Sequence, residues 1–297
     1  MIIRAAVVGL GAVGQTLLKI LKNKQETLSN TYGIEFEIIC LVDSRGTAVN
    51  PKGFDIDEVR AIKLAGGNLK GIAGFASDTA IVDVINSLAL DVVFEATPVD
   101  LQTGGPGLAV ARTALSRGVS VVLANKGPVV LALAELEALA SQTGAGLRFS
   151  ATVCGGLPII NIGRRDMIAA DITTVHGIFN STTNFILNEM GQGRNYDDAL
   201  AETQERGIAE ADPSFDVQGL DTANKLVIIA NSILNNRITL ADIQVSGITA
   251  ITTEEIMAEK KRKHTLKLVA SFEQGEFTVG PKSVPENSFL GQCSGWE

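Results

Sequence analysis

The densest group of polar side chains in this 297-residue sequence lies between positions 207 and 225. Asp221 and Lys225 are four residues apart, so they share one face of the helix that the surrounding apolar spacing predicts. The carboxylates of Glu210, Asp216 and Asp221 beside the amine of Lys225 would form a pocket for a cationic amino group next to a proton donor. The same pattern is equally typical of a capped helix with an exposed ion pair worth about 0.3–0.5 kcal/mol. Spacing alone leaves both interpretations open.

A glycine-rich sequence near the start of the chain has the spacing of a dinucleotide-binding turn. Gly9, Gly11 and Gly14 form a GxGxxG motif between an apolar stretch and an amphipathic one. The first glycine of such a motif allows a tight turn, the second lets the backbone approach a pyrophosphate, and the third lets helix and strand pack closely. The helix N-terminus, with Ala12 and Val13 in its first turn, would offer amide donors to the phosphates. A glycine turn without a ligand is the alternative.

The end of the second predicted strand carries residues that favour different cofactors. Asp43 lies where the motif expects an acid that binds the ribose hydroxyls of NAD, although further along the chain than is usual. Arg45, two positions on, is suited instead to the 2′-phosphate of NADP. A third interpretation is that Asp43 only caps the following turn. The sequence therefore predicts a nicotinamide cofactor and leaves NAD and NADP open.

Two further strand ends place polar residues at the sheet edge where ligands bind in open α/β folds. Thr97 and Pro98 follow one predicted strand, and Asn125 and Lys126 follow the next. We expect each pair to lie in a rigid, proline-containing loop against the nicotinamide ring. Lys126 would donate to a substrate oxygen there, or it is an ordinary surface lysine near a turn.

Short apolar runs alternate with amphipathic ones in the first half of the chain, which is typical of βαβ units and a parallel sheet. The predicted strands are Ile3–Gly9, Ile34–Val42, Val92–Glu95, Val119–Leu123 and Leu147–Ser150. The predicted crossover helices are Val13–Leu28, Ile81–Leu88, Leu108–Arg117 and Leu131–Gln142. We therefore predict a Rossmann-like, doubly wound α/β domain at residues 1–150, which binds the dinucleotide.

After residue 150 the pattern changes to polar-flanked helices followed by strands. The predicted helices are Thr182–Met190, Tyr196–Arg206 and Asp221–Asn235, and the predicted strands are Thr265–Phe272 and Glu276–Val279. This order predicts a second, α+β domain at residues 151–297 that binds substrate. Because apolar, strand-rich domains often pair across a two-fold axis, we also expect it to form a homodimer.

Composition excludes several classes of function. Lys and Arg total 25 against 33 Asp and Glu, so the formal net charge is −8, which disfavours binding to nucleic acid. Three cysteines without a CxxC pair and only two histidines argue against a disulfide framework, a cysteine zinc site and sites that need several imidazoles. No stretch reaches the roughly 18 uncharged apolar residues of a membrane-spanning helix, and the N-terminus lacks a secretory signal. We expect a cytoplasmic protein without a membrane or nucleic-acid partner.

Taken together, these motifs resemble the homoserine dehydrogenase family, in its short form without a kinase or sensing domain. The resemblance spans nearly the whole chain and rests on the glycine motif and on the segments 42–46, 125–126, 151–160, 180–187 and 210–225. It implies the NAD(P)H-dependent interconversion of L-aspartate 4-semialdehyde and L-homoserine, on the route to threonine and methionine. It also implies a homodimer.

The resemblance assigns roles to the polar residues. Lys225 would be the main proton-transfer residue and Lys126 its companion, while Glu210, Asp216 and Asp221 would hold the amino group and hydroxyl of the substrate. The chemistry agrees, because hydride delivery to an aldehyde leaves a developing alkoxide that a nearby ammonium stabilises and protonates.

Two of the departures from the family's pattern concern the cation and the second domain; a third, mild one is Ser181, where the family frequently has glycine or alanine. The family implies a monovalent cation bound by the carbonyls of Val153, Gly155 and Leu157, but Ser150 stands where family members often have a glutamate, which counts against that cation. The sequence ends at Glu297, whereas the family usually continues through a segment that returns to the nucleotide domain. We therefore expect a second domain that is shortened at its C-terminus.

Two other functions remain as alternatives. One is a related two-domain NAD(P)-dependent reductase of another amino-acid-like carbonyl, which a panel of substrates would distinguish. The other is a non-catalytic nucleotide-binding protein, which would bind nucleotide without oxidising homoserine.

Overall fold

The computed structural model describes residues 1–77, 79–209 and 211–294, and the chain divides into two compact units, residues 1–159 (unit 1) and residues 160–297 (unit 2). The strands of unit 1 are β1 (Ile2–Val8), β2 (Glu35–Asp43), β3 (Gly46–Val49), β4 (Phe75–Ala76), β5 (Val92–Glu95), β6 (Ser120–Leu123) and β7 (Leu147–Arg148). Its helices are α1 (Ala12–Asn23), α2 (Gln25–Tyr32), α3 (Ile56–Leu64), α4 (Ile81–Ser87), α5 (Gly105–Ser116) and α6 (Lys126–Thr143).

The strands of unit 1 form one sheet in the order β4-β3-β2-β1-β5-β6-β7. Strands β1, β2, β5, β6 and β7 are parallel, and β3 and β4 add an antiparallel edge. In the central strand β1, four consecutive residues from Ala5 to Val8 are at most 1% exposed. Consecutive buried residues require cover on both faces of a sheet. The predicted Rossmann-like, doubly wound fold is therefore confirmed.

The predicted helix Val13–Leu28 is wrong in one respect, because the structure divides it into α1 and α2 at Lys24. Gly14 and Leu18 of α1 are buried, whereas α2 has no buried residue. The apolar spacing that packs α1 against the sheet ends at Leu21, and the chain continues from Lys24 as a helix without a buried face. Strands β3 and β4 and helix α3 were not predicted from the sequence.

Helix α6 begins earlier than the predicted helix Leu131–Gln142. The side chain of Asn125 accepts a hydrogen bond from the backbone N–H of Gly127 at 2.9 Å, which caps the helix before Lys126. The backbone at Ala132 is non-helical, so the helix is kinked near the predicted start. Lys126 is consequently the first residue of a helix, and the expectation that it lies in a loop is corrected.

Unit 2 combines one sheet with helices. Its strands are β8 (Thr174–Gly177), β9 (Gln244–Val245), β10 (His264–Glu273) and β11 (Glu276–Pro285). The helices from the junction onward are α7 (Ile159–Asn161), α8 (Ser181–Met190), α9 (Tyr196–Glu205), α10 (Ser214–Val217), α11 (Leu220–Ser232), α12 (Thr253–Lys261) and α13 (Phe289–Gln292), and a π-helical turn covers Ile162–Asp166. Within residues 1–77, 79–209 and 211–294, no helix has both the length and the apolar character needed to cross a membrane.

The sheet of unit 2 has the order β8-β10-β11-β9. Strand β11 is longer than the predicted strand Glu276–Val279, because it pairs with β10 as far as Pro285. Its other side pairs with β9 only at Thr278 and Val279, so Pro281 lies where one side of the strand has no described neighbour. Helix α11 ends at Ser232 rather than at the predicted Asn235, whose backbone is left-handed with a φ of 55°.

Strand β10 carries a buried lysine. Lys267 is only 2% exposed, and its ammonium donates to the side-chain oxygen of Asn184 at 2.9 Å and to the carbonyl of Cys293 at 2.5 Å. Burial lowers the pKa of this amine. Lys267 thus joins β10 to α8 and to the residue that follows α13.

Candidate active site

The glycine turn between β1 and α1 has the packing of a nucleotide-binding loop. Gly9 has a φ of +98°, and a Cβ there would lie 2.4 Å from the carbonyl oxygen of Ala96. A Cβ on Gly14 would lie 2.0 Å from the carbonyl oxygen of Gly9. Gly11, in contrast, has no heavy atom within 4 Å of its Cβ position. Two glycines are therefore required by packing, whereas the middle one leaves an open backbone surface.

The start of α1 is suited to an anion. Gly11 is the N-cap and provides no side-chain cap, and the first turn contains no acidic residue. Ala12 and Val13 are exposed, and Val13 has 57% of its surface accessible. Uncapped amides at a helix N-terminus carry partial positive charge and bind phosphate. These features fit the pyrophosphate of a dinucleotide.

At the end of β2, the carboxylate of Asp43 is already engaged inside the protein. One oxygen accepts from the ammonium of Lys63 at 3.2 Å and from the backbone N–H of Leu69 at 3.1 Å. The other accepts from the backbone N–H of Arg45 at 2.8 Å. The Asp43 side chain is only 6% exposed, whereas Arg45 is exposed. The role of Asp43 towards a ribose remains a prediction.

Polar groups at the ends of β5 and β6 form one hydrogen-bonded cluster. The buried carboxylate of Glu95 accepts from the backbone N–H of Thr97 at 2.8 Å and also from its hydroxyl. The amide of Asn125 donates to the Thr97 hydroxyl at 3.2 Å and to the Pro98 carbonyl at 3.3 Å. Burial raises the pKa of Glu95, and hydrogen bonds from Thr97 and Asn125 partly oppose that shift. The structure therefore brings Thr97, Pro98 and Asn125 together, beside Lys126, which is half-buried.

In unit 2, an asparagine that was not among the predicted site residues holds two of the predicted acids. The side-chain amide of Asn180 donates to Asp216 at 2.6 Å and to Asp221 at 3.0 Å. Its carbonyl oxygen caps α8 by accepting from the backbone N–H of Thr183 at 2.9 Å. The signal was in the sequence, because an asparagine before Ser-Thr-Thr is typical of a helix N-cap. Its second role as a carboxylate partner was not evident.

The Asp221–Lys225 pair is largely buried. The ammonium of Lys225 lies 2.8 Å from the carboxylate of Asp221 and donates to the carbonyl of Phe179 at 2.6 Å. The side chains of Lys225 and Asp221 are 18% and 7% exposed. The interpretation as an exposed ion pair is therefore corrected: helix α11 packs with ten of its residues buried, which carries this face inward.

Asp216, Asp221 and Lys225 lie together, and Asn180 joins the two carboxylates. Carboxylates attract a cationic group. An ammonium has three N–H donors, and Lys225 uses two of them among the described residues. The third N–H has no acceptor among the described residues. Glu210 lies outside the described residues.

The segment implied to bind a monovalent cation shows mixed exposure. Val153 is buried, whereas Gly155 and Leu157 are exposed, Leu157 by 67%. Among the described residues, no group of three His, Cys, Asp or Glu side chains is placed to hold a metal ion. Ser150 supplies no carboxylate. The cation remains a prediction from the resemblance, and no catalytic step depends on it.

A glycine turn of this kind on a Rossmann-like sheet is typical of nicotinamide-dependent oxidoreductases. Residues 9–150 match the family model "Homoserine dehydrogenase, NAD binding domain", and residues 158–297 match the model "Homoserine dehydrogenase". A homoserine dehydrogenase from Methanocaldococcus jannaschii is 38% identical over 96% of this chain and 84% of its own length. The protein belongs to the homoserine dehydrogenase family.

Solved structures agree with this assignment. The crystal structure of an Archaeoglobus fulgidus protein assigned as a homoserine dehydrogenase matches 99% of this chain and 87% of its own, with a TM-score of 0.87 and 34% identity. A hyperthermophilic archaeal homoserine dehydrogenase in complex with NADPH matches 98% of this chain and 84% of its own, with a TM-score of 0.84 and 26% identity. The predicted family and the nicotinamide cofactor are thus confirmed.

Proposed function

We propose that the protein catalyses the NAD(P)-dependent interconversion of L-aspartate 4-semialdehyde and L-homoserine. The observation that carries this proposal is the buried Lys225 ammonium, which keeps one N–H donor beyond its contacts with Asp221 and Phe179. The adjacent carboxylates suit the amino group that both compounds carry. The family relationship supports the same reaction and the route to threonine and methionine.

In the proposed mechanism, Asp216 and Asp221 bind the substrate's ammonium, and Asn180 keeps both carboxylates in place. Lys225 donates a proton to the aldehyde oxygen during reduction and accepts it from the hydroxyl during oxidation. The positive charge of Lys225 also stabilises the alkoxide character that develops on this oxygen. Lys126 serves as a second amine in proton transfer, as the family relationship implies, and Glu210 as a further carboxylate for the substrate. When bound, the nicotinamide cofactor supplies or accepts the hydride.

The cofactor is held by the described residues of unit 1. Gly9, Gly11 and Gly14 form the turn, and the amides of Ala12 and Val13 receive the pyrophosphate. Thr97, Pro98 and Asn125 border the nicotinamide. A direct test is the absorbance change of the nicotinamide with homoserine at alkaline pH, compared with a panel of other hydroxy amino acids. Equal turnover of another amino alcohol would favour the related-reductase alternative, and nucleotide binding without turnover would favour the non-catalytic one.

We propose that Arg45, rather than Asp43, determines the cofactor preference, and that it favours NADP. The Asp43 carboxylate already accepts three internal hydrogen bonds, whereas the Arg45 side chain is exposed at the strand end. Arg45→Ala is expected to raise the Kd for NADP by about 10- to 100-fold, the effect of losing one charge-assisted hydrogen bond. Fluorescence titration with NADP and NAD measures this change.

Lys52→Ala is the matched control for this prediction. Lys52 is also an exposed cation, but the register of β3 on β2 places it beyond Val49, which pairs with Cys40 rather than with the Asp43 end. The control should bind both nucleotides as the wild type does. Equal losses of NAD and NADP affinity in Arg45→Ala would contradict a role at the 2′-phosphate.

We also propose that the second domain, predicted at residues 151–297, binds substrate and forms a homodimer, and that the protein is cytoplasmic. Support comes from the family and from the absence of disulfides among the described cysteines. Sedimentation equilibrium is expected to give about twice the chain mass of 31.2 kDa. A single monomeric species at micromolar concentration would refute the dimer.

A further inference from the structure

Glu95 is a buried carboxyl group that the proposed mechanism does not use. It is the last residue of β5 and is 1% exposed. One oxygen, Oε1, accepts from the backbone N–H of Thr97 at 2.8 Å and from the hydroxyl of the same residue, and that hydroxyl accepts in turn from the amide of Asn125 at 3.2 Å. The other oxygen, Oε2, is buried and has no hydrogen-bond partner among the described residues. Burying a carboxyl group with an unpartnered oxygen costs stability. A contribution to folding therefore does not explain why a glutamate occupies this position.

The hydroxyl of Thr97 fixes which way the side-chain amide of Asn125 faces. A side-chain amide donates from one end and accepts at the other. Because the Thr97 hydroxyl gives its hydrogen to Glu95, it accepts from the NH₂ end of Asn125, and the carbonyl end of Asn125 accepts from the N–H of Gly127 at 2.9 Å. That second bond caps α6, whose first residue is Lys126. The orientation of the helix start that carries Lys126 therefore depends on an acceptor at Glu95.

The same carboxyl also holds the loop that packs against the glycine turn. Thr97 N–H is bonded to Glu95, and this nitrogen lies 2.8 Å from where a Cβ on Gly9 would be. Gly107 of α5 packs closely against the side chains of Glu95 and Asn125 from another side. A Cβ there would lie 2.7 Å from the Asn125 amide nitrogen and 2.9 Å from Oε1 of Glu95. The glycine turn and the start of α6 are thus joined by a closely packed cluster of side chains, which consists of Glu95, Thr97 and Asn125.

We infer that Glu95 is a positioning residue, which orients the helix start at Lys126 through Thr97 and Asn125 and holds the loop beside the glycine turn through Thr97. This inference rests on the proposed function of Lys126 in proton transfer. Glu95 contacts neither substrate nor cofactor in this role. Its effect on turnover passes through the first turn of α6.

The test compares two substitutions of the same residue. Glu95→Gln keeps a carbonyl oxygen for the two donors of Thr97, and we expect kcat within about three-fold of the wild type. Glu95→Leu removes the acceptor, and we expect kcat to fall by about 10- to 100-fold, the effect of a small misplacement of a catalytic group. Leu115→Ala, a core change near the other end of α5, is the control for lost stability and should leave kcat unchanged well below its Tm.

A double-mutant cycle distinguishes action through Lys126 from an independent effect. If Glu95 acts through Lys126, then adding Glu95→Leu to Lys126→Ala lowers kcat little further. If the decreases in kcat caused by the two substitutions multiply in the double variant, the inference is wrong. It is also wrong if the Glu95→Leu enzyme loses stability as Leu115→Ala does but keeps its kcat.

A second measurement needs no turnover. Reductive methylation of lysines with isotopically labelled formaldehyde gives an NMR signal for Lys126, which the spectrum of Lys126→Arg assigns. We expect this signal to shift in Glu95→Leu and not in Glu95→Gln or Leu115→Ala; an unshifted signal would overturn the inference. A wild type without homoserine turnover would refute the proposed function, and the NMR signal would still decide the role of Glu95. Should Glu95→Leu fail to fold, Gly107→Ala displaces the same pair of side chains and should shift the signal likewise.

Discussion

Replacing Lys225 by arginine is expected to lower kcat by about 10²- to 10⁴-fold, the usual contribution of general acid–base catalysis. Arginine keeps the positive charge beside Asp221 but does not give up a proton at accessible pH. Nucleotide affinity should persist, because the glycine turn belongs to unit 1. Steady-state kinetics with homoserine and NADP, together with nucleotide titration, measure both quantities.

Lys225→Met tests the charge as well as the proton. Methionine keeps the apolar length of the side chain but removes the ammonium beside the buried Asp221 carboxylate, so we expect lower stability in addition to lost turnover. Adding Asp221→Asn should restore stability without restoring kcat. Lys282→Met is the control, because Lys282 is a half-buried lysine of β11 that donates to Ser271. A Lys225→Arg enzyme with wild-type kcat would show that another group transfers the proton.

Replacing Gly11 by alanine is expected to weaken nucleotide binding by about 10- to 100-fold while the Tm stays within a few degrees of the wild type. The Cβ position of Gly11 is open within 4 Å, and the residue has an ordinary extended backbone, so the methyl group meets no protein atom. It would lie instead where the pyrophosphate approaches the helix amides. The expected decrease in affinity is that of losing one charge-assisted hydrogen bond between a helix amide and the pyrophosphate. Titration calorimetry with NADP and thermal denaturation measure the two effects separately.

Two other glycines complete this comparison. Gly14→Ala should destabilise the fold itself, because its Cβ would lie 2.0 Å from the Gly9 carbonyl oxygen. Gly71→Ala is the neutral control, since Gly71 also has open space at its Cβ position. If Gly11→Ala binds NADP as tightly as Gly71→Ala does, the turn does not receive the pyrophosphate.

The sequence predicted those parts of the fold and site that depend on neighbours along the chain. The glycine turn, the exact limits of β5 and the shared face of Asp221 and Lys225 all follow from local spacing. The break at Lys24 was not predicted, because helix propensity continues across this residue. What changes at Lys24 is burial, since α1 has buried residues and α2 has none.

The spacing of residues along the chain could not predict contacts between distant segments. Asp43 accepts hydrogen bonds from residues 20 and 26 positions away, and Asn180 reaches acids that are 36 and 41 positions away. In both cases the side chain has an obvious local interpretation, as a strand-end acid and as a helix cap. The long-range partners exist because the sheet and the helix packing bring those segments together, which only the tertiary structure reveals.

The buried amine of Lys267 provides a chemical probe of motion near the end of the described chain. Acylating reagents attack amines that are exposed, and this one is enclosed while it is bonded to Asn184 and Cys293. It therefore becomes reactive when the segment at Cys293 separates from β10, a local opening that is less costly than global unfolding. Its rate of acylation, compared with that of exposed lysines such as Lys261, reports how often this segment detaches.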